Sequence, residues 1–212
     1  FVTNTAGTSN FRAGVNAGAN IASGGNYNVA VGDEAGNDIT TGDYNTFVGY
    51  AAADKVSTGE LNTGLGAFAL SADTLGSRSV AVGSSALEAQ NFTTATTAYN
   101  TAVGYGAGQA VTTGVQNTIM GGLAGDALTD ADRNIAVGYN SLGNNTVGSR
   151  SVAIGASALF TQNPTTATNM YNVAVGDDAG KLITTGVENT LIGALTGDAL
   201  TEGGLNVAVG TS

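Results

Sequence analysis

A five-residue core, Asn/Ser-x-x-x-Gly, recurs along the chain at intervals of 17 or 21 residues. The intervals run 17, 17, 17 and 21 and then recur, so four units form a superrepeat of 72 residues that starts at 28, 100 and 172. A degenerate copy of the core begins at Asn10. A fixed short period is typical of a stack of equivalent units that bury their apolar surfaces against one another. The clear copies begin at Asn28, Asn45, Asn62, Ser79, Asn100, Asn117, Asn134, Ser151, Asn172, Asn189 and Asn206.

Each core predicts a short strand that ends at its Gly, where the backbone needs a positive φ or a close neighbour. A unit of 17 residues cannot bury its own apolar side chains, whereas stacked units can pair in parallel, about 4.7–4.9 Å apart. The sequence therefore predicts an all-β fold, a parallel β-solenoid or β-roll of about twelve 17–21-residue coils. Residues 10–212 are expected to form one repeat domain, with 1–9 as a partial preceding coil or a linker. The Asn and Ser residues at the first core position are expected to form a side-chain ladder along the stack.

The composition excludes several functional classes. The chain has no Cys and no His, so it has no thiol nucleophile, no Ser-His-Asp triad and no ordinary zinc site. Its formal net charge is −10, with only six Lys and Arg, which argues against a nucleic-acid partner. No apolar run approaches the length of a membrane span. We expect no enzymatic activity, no cofactor and no membrane insertion by this segment. Because the chain begins with Phe and stops two residues after Gly210, we also expect it to continue, or to be capped, beyond Ser212.

The prediction about partners is based on the residues at the third core position. If the second and fourth side chains point into the coil, alternation along a strand leaves the third pointing outward. Outward side chains on a solvated face are normally polar, but none of the eleven clear copies has a polar residue there. We therefore expect another copy of the chain to cover this row, as a homotrimer in preference to a dimer, although the row alone does not fix the symmetry. The predicted interface residues are Ala30, Phe47, Ala81, Ala102, Ile119, Ala136, Ala153, Ala174, Leu191 and Ala208.

The cores NVAVG, SVAVG and SVAIG, each followed by x-x-Ala, resemble the head repeats of trimeric autotransporter adhesins, the YadA-like head. Related repeats occur in phage tail-fibre and other bacterial fibre proteins. The resemblance covers residues 10–210 and implies a trimer of left-handed parallel β-rolls, exposed on a cell or virion surface and used for attachment. The chain departs from that pattern in its coil length, since the head repeats are usually near fourteen residues, and it contains no coiled-coil stalk or anchor barrel.

The 21-residue units contain four extra residues within 88–99 and 160–171. An insertion in a solenoid forms a loop on one face, often the binding face. A brace between chains or a packed bulge is the alternative interpretation of these loops. The candidate binding residues are Asn91, Phe92, Thr93, Phe160, Pro164 and Met170.

Three other patterns have a chemical and a structural interpretation. The acidic pairs Asp33-Glu34 and Asp177-Asp178 could suggest glycoside hydrolysis, but neighbouring carboxylates at a turn are better explained as solvated. The Thr-rich turns, such as Thr40-Thr41, are compatible with an ice-binding solenoid. Recurring aspartates could hold an occasional Ca²⁺, although turn residues are the preferred interpretation. These aspartates are Asp54, Asp126 and Asp198.

Together these observations predict a structural and attachment segment of an extracellular trimeric fibre, of the adhesin-head or tail-fibre type, on a cell surface or a virion. The expected ligand is a glycan or protein of a host surface. The alternatives are an inert filament or shaft segment without a ligand of its own, and an ice-binding solenoid.

Overall fold

The computed structural model describes residues 6–211 of the chain, which form an all-β parallel solenoid of about twelve turns. The fold class predicted from the sequence is confirmed to this extent. The predicted partial coil or linker at 1–9 lies in part outside the described residues, since 1–5 are not among them. Each coil contributes one strand of three residues that coincides with the second, third and fourth positions of the sequence core.

The chain divides into two compact units built from the same coil, residues 1–105 and 106–212. In both units the strands pair in parallel, and every core position aligns with the same position of the next coil, as in Ala30 with Phe47. Two minor sheets pair Gly76–Ser77 with Thr96–Thr97 and Gly148–Ser149 with Thr168–Asn169, and each joins a long coil to the coil before it. The first unit contains β1 Phe11–Ala13, β2 Val29–Val31, β3 Thr46–Val48, β4 Thr63–Leu65, β5 Gly76–Ser77, β6 Val80–Val82, β7 Thr96–Thr97 and β8 Thr101–Val103. The second contains β9 Thr118–Met120, β10 Ile135–Val137, β11 Gly148–Ser149, β12 Val152–Ile154, β13 Thr168–Asn169, β14 Val173–Val175, β15 Thr190–Ile192 and β16 Val207–Val209.

The side chain at the third core position points into its own coil, so the prediction that it points outward is wrong. We number each coil from its Asn or Ser as position 1. Positions 1 and 3 face inward together and pack with the small residue at position 8 and the residue at position 12. The narrow interior accepts Ala and Gly at position 3 but only a few larger side chains. Of the predicted interface residues, only Ala208 is partly exposed. The buried ones are Ala30, Phe47, Ala81, Ala102, Ile119, Ala136, Ala153, Ala174 and Leu191.

The predicted ladder at position 1 is confirmed, and it runs through the buried interior. The backbone N–H of Asn45 donates to the side-chain oxygen of Asn28 over 2.9 Å, and the N–H of Asn62 donates to Asn45 in the same way. The amide nitrogen of Asn45 donates to the backbone carbonyl of Gly59, at position 15 of its own coil. The same contact is made by Asn28, Asn62, Asn117, Asn134, Asn172 and Asn189. Each amide thereby closes its coil and joins it to the next, which satisfies polar groups that have no access to water.

Ser79 and Ser151 interrupt this ladder, and a Gln at position 12 replaces the missing amide. Gln90 donates to the hydroxyl of Ser79 over 3.1 Å and accepts a hydrogen bond from the side chain of Asn100 over 2.8 Å. Gln162 makes the same contacts with Ser151 and Asn172 in the second unit. A buried polar group is stable only when it is paired, so Ser at position 1 and Gln at position 12 occur together.

Residues with left-handed backbone recur at fixed positions of the coil. Within residues 6–211, all 27 non-glycine residues with positive φ lie at position 7, at position 9, or directly before position 1, which we call position 0. The Gly at position 5 is also left-handed, and a Cβ on Gly32 would overlap the carbonyl oxygen of Gly49 in the next coil. No β-branched residue occupies positions 0, 7 or 9. This agrees with the steric cost of positive φ for such side chains.

The side chains at positions 9 and 12 share one limited space inside the coil. A Cβ on Gly36 would lie 2.7 Å from the Cδ1 atom of Ile39, so glycine at position 9 makes room for an aliphatic side chain at position 12. Where position 9 is Leu, position 12 is polar, as in Leu70 with Asp73. The other three such pairs are Leu87 with Gln90, Leu142 with Asn145, and Leu159 with Gln162.

Candidate interaction surface

The outer surface of the strands forms a face of uncharged side chains in each unit. Because positions 1 and 3 point inward, positions 2 and 4 point outward, and we call their side chains the strand face. Position 4 is apolar in every coil, and position 2 is Val, Ile or Thr in every clear copy. These side chains are half-buried by their neighbours or exposed, with Val48 38% and Met120 47% exposed. The outward side of the strands is therefore uncharged and largely apolar, and this uncovered side is opposite to the one predicted.

Tyrosines border the strand face on both sides. The chain has seven tyrosines, and all of them lie at position 0 or position 6. We call the side chains at position 0 the leading flank and those at position 6 the trailing flank. Each tyrosine is about half exposed or more, so the flanks present large rings to solvent. The leading flank contains Tyr27, Tyr44, Tyr99 and Tyr171, and the trailing flank contains Tyr50, Tyr105 and Tyr139.

The leading flank is further organised by stacking between coils. Tyr27 and Tyr44 stack with their ring centroids 4.9 Å apart and an interplanar angle of 8°. In the second unit, the guanidinium of Arg150 lies 5.9 Å from the ring centroid of Tyr171, and Arg133 donates to the side-chain oxygen of Gln116 over 2.7 Å. Each of these contacts joins equivalent positions of neighbouring coils. Half of the six Lys and Arg residues of the chain lie on this flank: Arg78, Arg133 and Arg150.

The trailing flank carries acidic residues in place of basic ones. Asp33 and Asp177 occupy position 6 of the first coil of their superrepeats, and the following residues are Glu34 and Asp178. Asp178 pairs with Lys181 over 2.9 Å. The first residue of each pair is exposed and the second is half-buried, which agrees with the solvated-turn interpretation for Asp33 and Asp177. The leading flank thus carries three arginines and Glu188, whereas the trailing flank carries two carboxylates and no basic residue.

The long loops bury half of the residues that the sequence analysis assigned to ligand binding. Phe92, Pro164 and Met170 are buried, so the expectation that they contact a ligand from the surface is wrong. Their burial agrees with the packed-bulge interpretation, since a Cβ on Gly148 would lie 3.0 Å from Met170 and 3.1 Å from Pro164. In the turn of a long coil these apolar side chains fill the interior, because position 12 of that coil and of the coil before it is polar. Phe160 is half-buried.

The exposed part of both loops is a Thr-Thr-Ala tip, residues 93–95 and 165–167. Asn91 and Thr93 are exposed, as a surface contact requires. Asn91 also accepts a hydrogen bond from the hydroxyl of Thr74 over 2.9 Å. Its prediction as a binding residue stays a prediction, and the tips are the loop segments that a ligand can reach.

The threonines of the shorter turns use hydroxyl groups to join coils. The hydroxyl of Thr40 donates to the backbone carbonyl of Ser57 over 3.1 Å, and Ser57 donates to Thr74 in the same way. Thr129 repeats this contact with Thr146 in the second unit. Hydroxyl groups bonded along the stack are less available to order water, so these turns give little support to an ice-binding surface.

No group of three or more His, Cys, Asp and Glu side chains converges within residues 6–211 in a way that could hold a metal ion. Among the three aspartates that were considered for Ca²⁺, Asp54 forms an ion pair with Lys55 over 3.1 Å. Partial burial raises the pKa of the Asp126 carboxyl. Within the same range, no helix has the length and apolar character needed to cross a membrane.

One carboxyl group lies in the interior of the first unit. Asp73, at position 12, is fully buried and accepts hydrogen bonds from the side chain of Gln90 over 2.7 Å and from the backbone N–H of Gly76 over 3.0 Å. Burial raises its pKa, and these hydrogen bonds oppose the rise in part. The equivalent residue 72 positions later is Asn145, which bonds the backbone of Gly148 with both atoms of its amide.

Comparison of the chain with protein-family models, with curated proteins and with solved structures finds no match. The functional argument therefore rests on the geometry of the strand face, its two flanks and the loop tips.

Proposed function

We propose that this chain is a structural and attachment segment of an extracellular trimeric fibre, of the adhesin-head or tail-fibre type. The observation that carries the proposal is the strand face, because a row of exposed apolar and β-branched side chains without a single charge is typical of a surface covered by a partner. Another copy of the chain is the simplest partner, because it presents the same uncharged strand face. The resemblance of the cores to adhesin-head repeats supports three copies and a left-handed coil.

The attachment part of the proposal rests on the loops. Loops on a rigid repeat scaffold are common ligand-binding elements. The two Thr-Thr-Ala tips are exposed, and buried side chains such as Phe92 and Met170 hold them in place. We assign the host-surface glycan or protein contact to these tips, and mechanical presentation of the tips to the stacked coils.

Oligomeric state tests the assembly. We expect the purified chain to have three times its monomer mass by sedimentation and by light scattering. The substitutions Val48→Lys and Ile154→Lys place a charge on the strand face of each unit without entering the interior, and the variant should be monomeric. The control substitutions Thr41→Lys and Thr113→Lys, at exposed turns, should leave the mass unchanged. A wild-type monomer at all concentrations would contradict the proposal.

Binding to glycan surfaces and to cells tests the attachment role. Replacement of Thr93, Thr94, Thr165 and Thr166 by Ala changes only exposed tip residues and should reduce binding at least tenfold while the trimer persists. The control Thr41→Ala/Thr185→Ala alters turn threonines outside the loops and should bind as wild type. Equal binding by the tip variant would remove the loops from the proposal, and a trimer that binds nothing would favour an inert shaft.

A further inference from the structure

Two arginines occupy adjacent coils on the leading flank of the second unit. Arg133 and Arg150 both lie at position 0, so their backbones are about 4.7–4.9 Å apart along the stack. Like charges placed opposite one another on paired backbone segments repel each other. Neither residue forms an ion pair within residues 6–211, although the chain has a formal net charge of −10. An anion from outside the chain would relieve the repulsion between these two guanidinium groups.

Both guanidinium groups are held by an uncharged side chain of a neighbouring coil. The Nε–H of Arg133 donates to the side-chain oxygen of Gln116 over 2.7 Å, and that of Arg150 donates to Asn169 over 3.0 Å. Asn169 is fixed in turn by the minor sheet, where it pairs with Ser149. A guanidinium has five N–H donors, so these contacts leave the four on the terminal nitrogens of each arginine for another acceptor.

An aromatic ring and the second loop tip lie beside the arginine pair. The ring of Tyr171 is 49% exposed, and its centroid is 5.9 Å from the guanidinium of Arg150. The exposed Thr165 and Thr166 precede Asn169 in the same loop. A tyrosine presents an apolar ring face beside a hydrogen-bonding hydroxyl. A sugar has the matching surface, with C–H groups on its ring faces and hydroxyl groups at its edges.

Two acidic residues lie near the pair and limit where an anion fits. Asp132 directly precedes Arg133, and its carboxylate accepts a hydrogen bond from the backbone N–H of Val115 over 2.8 Å. Glu188 lies on the leading flank one coil beyond Tyr171. An anionic group therefore fits at the two guanidinium groups and is disfavoured on the far side of the ring.

The first unit has the same framework without the arginine pair. Arg78, the equivalent of Arg150, forms an ion pair with Glu60 over 3.6 Å. Leu61 occupies the position of Arg133. The first unit thus has one arginine with an acidic partner, and it serves as an internal control for the second.

We propose that Arg133, Arg150 and Tyr171 form a binding site for an acidic glycan. The two guanidinium groups bind a carboxylate or sulfate of the sugar, and the ring of Tyr171 packs against the face of the sugar. The planar, always charged guanidinium group suits this role because its paired donors match the oxygens of such anions. This inference rests on the proposed attachment function and adds the chemical class of the ligand and a site beside the second loop tip.

Binding of the whole chain to immobilised polymers tests the site. We expect binding to polygalacturonate or to dextran sulfate, which carry the two kinds of anion, and none to neutral dextran. The variant Arg133→Gln/Arg150→Gln should lose at least tenfold in affinity. Arg78→Gln makes the same change at the equivalent position of the first unit and should alter affinity less than twofold. Salt should weaken wild-type binding between about 0.05 and 0.5 M NaCl, because it screens exposed charges.

A gain of binding provides a second measurement. Glu60→Gln/Leu61→Arg removes the acidic partner of Arg78 and places a second arginine on the adjacent coil, beside Tyr99. This variant should bind two sugar-chain sites per copy where the wild type binds one. An unchanged stoichiometry would show that an arginine pair beside a tyrosine is not sufficient for the site.

Mass by sedimentation separates this inference from the proposed function. If Arg133→Gln/Arg150→Gln keeps the wild-type mass and binds the acidic polymers equally well, the site is overturned and attachment through the tips stands. If that variant dissociates while the wild type is a trimer, the arginines belong to a contact between copies and the site is overturned. Equal binding of the wild type to polyglutamate overturns the assignment to a sugar. A monomeric wild type that binds no polymer and no cell surface overturns both proposals.

Discussion

Left-handed backbone at positions 0, 7 and 9 of the coil restricts which residues those positions tolerate. Ser85 has a φ of 58° at position 7, and the same position holds residues as different as Phe68 and Asp178. Side-chain size and charge are thus free to vary there. What the position excludes is branching at Cβ, because a second substituent on that carbon collides with the backbone when φ is positive.

The substitution Ser85→Val should therefore destabilise the chain more than Ser85→Ala, by about 1–2 kcal/mol. For a chain of this size that difference lowers the thermal midpoint by about 2–8 °C. Thr101→Val at position 2, where the backbone is a strand, is the matched control and should change little. Thermal unfolding followed by circular dichroism measures the effect, and equal midpoints for Ser85→Val and Ser85→Ala would contradict the steric argument.

The buried carboxyl of Asp73 makes the stability of the first unit depend on pH. Because burial raises its pKa above the ordinary value of 3.8, the native state holds the proton more tightly than the unfolded chain does. The contribution of Asp73 to the unfolding free energy is then highest below pH 3.8 and falls as pH rises through the raised pKa. Asp73→Asn should stabilise the protein at pH 7 and leave it nearly unchanged at pH 3, as measured by urea unfolding at both values. A greater gain at pH 3 than at pH 7 would contradict this sign. Asn145 shows that the fold accommodates an amide at the equivalent position.

At the scale of the coil, the interior has a fixed volume that two positions share. A Cβ on Gly125 would lie 2.7 Å from the Cδ1 atom of Leu128, so Gly125→Leu should cost about 1–3 kcal/mol through overpacking. Adding Leu128→Asn reproduces the Leu-x-x-Asn pattern of residues 142–145 and should recover at least half of the loss. A double-mutant cycle in urea gives the coupling energy, and simple additivity of the two changes would show that the positions are independent.

The sequence was sufficient to predict the coil, its period and the polar ladder, because each depends on residues that recur at one spacing. The side of each strand that faces the interior was predicted wrongly for a definite reason. Alternation assigns a face only when one side is polar, and here Ala30 inside and Val31 outside are both apolar. The Asn at position 1 was the usable signal, since a laddered amide lies inside and position 3 lies on the same side. Two further features could be read from the sequence. Leu replaces Gly at position 9 where position 12 is polar, and no β-branched residue occupies position 7.

The two long loops were predicted in the correct place, but three of the side chains expected to contact a ligand are buried. The insertion length identifies a loop, whereas the large apolar residues suggested contact with a partner. Phe92 and Met170 instead fill the turn beneath the tips, as apolar side chains do wherever a long loop must be held. Burial of a loop residue depends on the neighbouring coil, and the spacing of the repeat alone does not describe that contact.

For the whole molecule, assembly through the strand face should couple folding to concentration. A partner that binds only the native state raises the unfolding midpoint by mass action. The midpoint of the wild type is therefore expected to rise over a hundredfold increase in protein concentration, and that of Val48→Lys/Ile154→Lys should stay constant. Differential scanning calorimetry at several concentrations makes the comparison. A constant midpoint for both proteins would argue against coupled assembly.

The buried amide ladder has a consequence for how such a chain can change its length over generations. The Asn residues offer their successors the same acceptor, and each coil with Ser at position 1 carries its own Gln, so one 72-residue block fits onto another. Duplication or loss of a whole block would create no mismatched junction. Longer and shorter versions can therefore arise by recombination between blocks without any new packing solution.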